Sequence, residues 1–263
     1  MNLCMMSCVM SGTPQEIVRT AQQCGMSGMD WIHTYGLDTT ILKKVSDDAG
    51  LKIVSFTTLD DRINGLRSGR MEAFREILDL THSLGTDQLM LPPFRTEGVD
   101  DPAEARKRWT EFYAETVPVA AKEGVTITLE TVPRESAPFF TSDDILSVLR
   151  AVPGLKMIFD QGNMGVAEDP VSAFRKLKDY VIRFHLKDFR ISETPRENWS
   201  RSRGGRFYRA AVIGEGDLDV EGFWKTLDDE SRELYATPET NDPENRIPAP
   251  QVLKEVTDRM RTW

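Results

Sequence analysis

Three histidines occur in this chain, and one of them, His185, closes the β-branched and aromatic run Tyr180-Val181-Ile182-Arg183-Phe184. Acidic residues close three further runs in the same manner. Glu130 follows Val125-Thr126-Ile127-Thr128-Leu129, Asp160 follows Lys156-Met157-Ile158-Phe159, and Glu239 closely follows Leu234-Tyr235-Ala236-Thr237. One imidazole and three carboxylates at the ends of four strand-like runs suggest a divalent metal site, provided that the four ends converge. Convergence is what a parallel barrel supplies, because its chemistry is done at the C-terminal mouth.

The elements needed to position them are written along the chain. Short apolar runs near residues 2–9, 28–32, 51–57, 86–91, 125–130, 156–160, 181–186 and 233–238 alternate with amphipathic stretches, the pattern of a single eight-stranded α/β barrel. Thr13-Pro14 with Glu16, Asp101-Pro102 with Glu104, and Asp169-Pro170 place capping side chains before prolines suited to a first helical turn. Ser142 precedes Asp143-Asp144 and the apolar stripe Ile145, Leu146, Val148, Leu149, and so marks another helix start. Gly25, Gly50, Gly85 and Gly124 each stand between an amphipathic stretch and a strand, as helix-stopping glycines do. No composition shift marks a second domain, so residues 1–263 read as one.

At 263 residues the chain can bury a large core, and 40% hydrophobic with 29% charged residues is a globular balance. A net charge of -9 argues against a nucleic-acid partner, which Lys and Arg clusters would have to hold. Cys4, Cys8 and Cys24 are too few for a disulfide framework and read as reduced packing residues. The segment Met1–Met10 reads as a first strand rather than a signal peptide, and no run is long enough for a membrane span. A cytoplasmic location without membrane contact is therefore expected. The sequence is equally compatible with a homo-oligomer.

One stretch breaks the rhythm. From Phe189 to Val212 the chain is polar and carries Arg190, Arg196, Arg201, Arg203, Arg206 and Arg209 around Gly204-Gly205. Following the strand of His185, a structureless loop at about 189–212 would overhang the mouth. It reads either as a solvated excursion or as a lid over a polar or anionic substrate.

At the residues already named, the chain resembles the xylose isomerase-like TIM-barrel superfamily of sugar isomerases and epimerases. Leu129-Glu130-Thr131 is similar to its fifth-strand glutamate, Phe159-Asp160-Gln161-Gly162-Asn163 to its sixth-strand aspartate motif, and Phe184-His185-Leu186-Lys187-Asp188 to its seventh-strand histidine motif. Gly214-Glu215-Gly216-Asp217-Leu218-Asp219 resembles the Gly-x-Gly turn before the last unit, and Pro238-Glu239 the eighth-strand glutamate. The resemblance implies a metal bound by Glu130, Asp160, His185 and Glu239. Many relatives carry a second histidine where this chain has Asn163, a neutral residue suited only to orienting a substrate hydroxyl.

Three carboxylates and one imidazole suit Mn²⁺, Mg²⁺, Co²⁺ or Zn²⁺, and the mostly oxygen shell tips the balance slightly toward Mn²⁺ or Mg²⁺. The implied activity is isomerisation or epimerisation of a small sugar, keto-sugar or polyol. It would act by proton transfer through a metal-stabilised enediolate, with Glu130 and Glu239 as catalytic bases. The same constellation could expel a β-hydroxyl, making the alternative a dehydratase or lyase on an inosose or 3-keto-sugar. Lys187 alternates to the side of His185, His33 ends the second strand in Trp31-Ile32-His33, and Arg190 opens the arginine-rich stretch. These three, with Asn163, are the expected substrate contacts. Asp188 could reach into the mouth or pair with Lys187, His82 reads as a structural mid-helix residue, and Trp31, Phe56 and Phe94 could wall a sugar face.

Overall fold

The computed structural model of the protein describes every residue except Arg95. Eight parallel strands close into a barrel: β1 (Asn2–Met6), β2 (Gly28–Trp31), β3 (Lys52–Thr57), β4 (Gln88–Met90), β5 (Thr126–Leu129), β6 (Lys156–Asp160), β7 (Val181–Leu186) and the last strand, Tyr235–Pro238. Each joins its sequence neighbour, and the last strand pairs with both β7 and β1. The fold is a single (β/α)8 TIM barrel. Every predicted strand is present, shortened by a few residues at most. Residues 7–9, expected to continue β1, instead form a 3-10 turn at the mouth.

The helices begin and end where local chemistry directs. Thr13 and Glu16 form a capping box on α1 (Pro14–Gln23), and Asp38 caps α2 (Thr39–Asp48). Two helices precede β4: α3 (Asp61–Asn64) and α4 (Arg70–Leu84). Asp101 caps the long α5 (Pro102–Lys122) through the Ala103 N–H. The cap of α6 (Ser142–Ala151) is Thr141 rather than Ser142, because Asp144 completes a capping box with the threonine. Gly25, Gly50, Gly85 and Gly124 all take left-handed φ values between 60° and 75° at helix-to-strand turns, a conformation nearly free of cost only for glycine.

The arginine-rich stretch is ordered, unlike the structureless loop expected of it. Strands β8 (Asp188–Ser192), β9 (Ser200–Arg201) and β10 (Phe207–Ala211) form an antiparallel sheet in the order β8-β10-β9. Phe189 and Tyr208 on this arm pack edge to face and against Val166, so alternating side chains cover apolar surface. The arm is also pinned away from its base. Arg203 pairs with Asp144 and donates to the carbonyls of Ala137 and Pro138, and Arg201 pairs with Glu135 at 2.6 Å. The remaining elements are α7 (Gln161–Ala167), α8 (Pro170–Leu177), α9 (Val220–Lys225), α10 (Asp229–Arg232), β11 (Tyr235–Pro238, the eighth barrel strand) and α11 (Ala249–Met260). Among the described residues no helix is long and apolar enough to cross a membrane.

Candidate metal centre at the barrel mouth

Strand register carries the four candidate ligands to one place. Asp160, the last residue of β6, is the register partner of His185 on β7, which in turn faces Thr237 on β11. Glu130 and Glu239 each stand one residue beyond a strand end, where the backbone has just left the ladder. One ligand atom from each of Glu130, Asp160, His185 and Glu239 lies within 4.8 Å of the others. The His185 Nδ1 is 3.1 Å from Glu130 Oε2 and 2.7 Å from Glu239 Oε1. Donors spaced in this way suit a divalent ion, since neighbouring octahedral ligands at about 2.1 Å from a metal are about 3 Å apart.

Their electrostatics fit a cation as well. Asp160 Oδ2 and Glu239 Oε1 are buried and sit at ion-pair distance from cationic neighbours without forming a directed hydrogen bond. Burial opposes charge on His185, but the Glu239 and Glu130 carboxylates outweigh it and raise the imidazole pKa to about 9. Burial pushes the Asp160 carboxyl upward, and the neighbouring glutamates add to the push against Lys187. Burial acts the same way on Glu239, yet Lys187 and His185 prevail and hold its carboxyl low. The site thus carries an excess of negative charge, partly answered from within by Lys187 and His185.

The other expected contacts divide. Lys187 lies in the site, 2.8 Å from Asp160 Oδ2 and 2.9 Å from Glu239 Oε2. It lines a mouth cavity of about 280 Å³ together with Cys8, Phe189, Glu239 and Asn241. Asn163 is buried beside the site, and its Nδ2 donates to the Thr131 carbonyl at 2.8 Å. His33 is exposed at the end of β2, its ring 3.9 Å from that of Tyr35, and it does not line the cavity. Arg190 is exposed on β8 and also stands outside the cavity lining. His82 pairs with Glu123 at 3.1 Å on the surface of α4.

Several side chains behave differently from expectation. Asp188 lines the mouth cavity beside Lys187 but does not pair with it. It is buried and accepts the N–H groups of Gly214, Gly216 and Leu218, which explains the Gly-x-Gly turn: a Cβ at Gly216 would stand 2.1 Å from Asp188 Oδ1. Trp31 and Phe56 belong to the core, and Trp31 Nε1 donates to Ser46. Phe94 lies beneath the Arg134 guanidinium instead. Cys4 and Cys24 are buried as expected, but Cys8 is exposed at the mouth.

Sequence reasoning missed a second buried charge pair. Arg183, two residues before His185 on β7, ion-pairs with Asp30 on β2 at 2.7 Å and donates to Ser55 on β3 at 2.6 Å. A lone aspartate in the otherwise apolar Met29-Asp30-Trp31 was the available signal.

Known proteins bear on this geometry at several levels. An inosose dehydratase of Clostridium perfringens is 34% identical over 113 residues, which is 39% of this chain and 38% of that protein. The chain thus spans under half the length of the curated relatives that it matches. Among solved structures, the apo 3-keto-D-glucoside 4-epimerase YcjR of E. coli superposes with a TM-score of 0.76 at 17% identity, covering 100% of both chains. The zinc-bound IolI protein superposes with a TM-score of 0.77 at 15% identity, covering 100% of this chain and 96% of the other. These structural likenesses speak for the fold. Residues 18–263 match the family described as xylose isomerase-like TIM barrel, and the chain belongs to it.

Proposed function

We propose that the protein is a divalent-metal-dependent isomerase or epimerase of a small sugar, keto-sugar or polyol. The observation that carries this reading is the grouping of Glu130, Asp160, His185 and Glu239 within 4.8 Å at the mouth of the barrel. These four residues would hold the ion, and Mn²⁺ or Mg²⁺ suits their mostly oxygen donors, with Co²⁺ and Zn²⁺ also compatible. Such an ion supplies polarisation of a substrate carbonyl and stabilisation of the negative charge that develops on it.

The chain supplies the proton chemistry. Glu130 and Glu239 approach His185 from different strands, β5 and β11, and present carboxylates to substrate from two directions. One takes the proton from the carbon beside the carbonyl. Return of a proton to the other face of that carbon gives an epimer, and its return to the adjacent carbon gives an isomer. Lys187 reaches the substrate from the cavity wall, and Asn163, His33 and Arg190 are proposed as further contacts. Asn163, which does not line the cavity, would act by holding the backbone beside Glu130, since its amide nitrogen already serves the Thr131 carbonyl. His33 and Arg190 would engage only substrate groups that extend beyond the cavity. The arm over residues 188–211 is proposed to cover the mouth.

A second reading has specific support. The inosose dehydratase relative favours a lyase, in which the abstracted proton is followed by loss of a β-hydroxyl as water from an inosose or 3-keto-sugar. Turnover of a keto-sugar panel in deuterium oxide with restored Mn²⁺ separates the two. Deuterium at the substrate carbon without ultraviolet absorbance supports the isomerase, whereas a conjugated product absorbing in the ultraviolet supports the lyase. A metal-loaded protein that exchanges no deuterium and forms no such product with any keto-sugar would count against both.

A further inference from the structure

The carboxylates of the metal centre already share a cation that the chain itself provides. Asp160 offers two oxygens, and one is committed: Oδ1 accepts the Asn163 N–H at 2.8 Å as the cap of α7. Oδ2 is the oxygen left for a cation, and Lys187 Nζ lies 2.8 Å from it. Glu239 is divided in the same way, with Oε1 2.7 Å from His185 Nδ1 and Oε2 2.9 Å from Lys187 Nζ. The lysine gains this position because residue 162 is a glycine. A Cβ at Gly162 would stand 2.5 Å from the Lys187 Cβ and force the stem away.

We propose that Lys187 is an internal competitor for the divalent ion, which must displace it from Asp160 Oδ2 to bind. This rests on the metal-centre reading above and goes beyond it, because it assigns Lys187 a function before any substrate arrives. Three neighbouring carboxylates, two of them buried and Glu239 half-buried, would repel one another and stay costly without a counter-charge, and Lys187 answers that charge in the metal-free protein. Once an ion takes Asp160 Oδ2, two cations on one oxygen repel, and the ammonium moves into the cavity that it lines beside Cys8 and Phe189. Metal loading and readiness of Lys187 for substrate are then one event.

Titration calorimetry with Mn²⁺ on the metal-free full-length chain tests this by comparing the wild type with Lys187→Gln and Lys187→Met. Both variants should bind Mn²⁺ at least tenfold more tightly. Equal or weaker binding by the variants overturns the competition and leaves the metal centre standing. Absence of Mn²⁺ binding by the wild type and both variants overturns the metal centre and the competition together. A second measurement needs no variant. Acetylation of Lys187 by acetic anhydride, followed by peptide mass spectrometry, should run at least fivefold faster in wild-type protein saturated with Mn²⁺ than in metal-free protein. Unchanged or slower labelling overturns the displacement.

Discussion

Two clusters of buried charge lie inside this barrel, one pleat apart on β7, and they are built on opposite terms. In the lower one Arg183 meets Asp30 one to one, Ser55 accepts from the guanidinium, and Thr57 donates to the second Asp30 oxygen at 3.0 Å. In the upper one three carboxylates share one lysine and one histidine, and the negative charge is left in excess. The matched pair balances its own charge, leaving the Arg183 Nε without a hydrogen bond, and ties β2, β3 and β7 together across the barrel. An unmatched cluster satisfies only part of itself and stays available to a ligand. Burial alone therefore does not mark a functional charge; the sign left over after pairing does.

The contrast can be broken by mutation. The largest expected effect is on catalysis at the upper cluster. Glu130→Gln should lower turnover about 10²–10⁴-fold, the usual worth of a positioned acid–base group, while the melting temperature of the metal-free protein holds or rises. Steady-state kinetics and thermal melts in chelator read both. A fall in metal-free stability would show that the excess charge is structural after all.

The lower cluster should respond the other way. Arg183→Met strands Asp30 in the barrel and should cost about 3–5 kcal/mol of unfolding free energy in urea titrations. The folded fraction should still bind metal with unchanged stoichiometry. Loss of metal binding in that fraction would mean that the two layers act as one unit. Metal removal should come next in size. At a free Mn²⁺ concentration 100 times its dissociation constant, binding adds about 2.7 kcal/mol to stability, which chelation should abolish in a thermal-shift assay. His185→Ala should lose that increment before it loses its fold.

The smallest expected effect concerns the arm. Burial works to raise the Asp144 pKa, but the N–H groups of Phe140 and Thr141, with Arg203 and Arg106, hold it below the ordinary carboxylate value. A lowered pKa contributes stability that is fully present above the unfolded value of about 3.9 and fades as pH falls through the folded value. The difference in stability between wild type and Asp144→Asn should therefore be about 1–2 kcal/mol at pH 7 and shrink below pH 4. A gap that stays constant across this range would dissociate Asp144 ionisation from the docking of the arm.

The upper cluster could be read from the sequence because its residues sit at the ends of apolar runs, where a charge interrupts a clear pattern. Glu130, Asp160, His185 and Glu239 stand at such ends, and barrel closure brings them together. The lower pair escaped because Arg183 lies inside a strand, and sequence does not say which strand across a barrel will answer it. Alternation puts Lys187 on the side of His185, but its division between Asp160 and Glu239 depends on the close approach at Gly162. In the arm, six arginines concealed the alternation of Phe189 and Ile191 with Tyr208, so ordered strands looked like a solvated loop.

The Asp188 carboxylate gathers the N–H groups of Gly214, Gly216 and Leu218, and Asp188 pairs with Ala211 across the first rung of the arm. The polypeptide therefore leaves the barrel and returns to it through one knot. The stretch between residues 189 and 210 hangs from that fastening and is clipped to the barrel again where Arg203 meets Asp144 and Arg201 meets Glu135. A replacement spliced there would leave the Asp188 fastening in place but would have to answer the Asp144 carboxylate anew. Reshaping what enters the mouth and preserving what waits inside it are separable engineering problems in this chain.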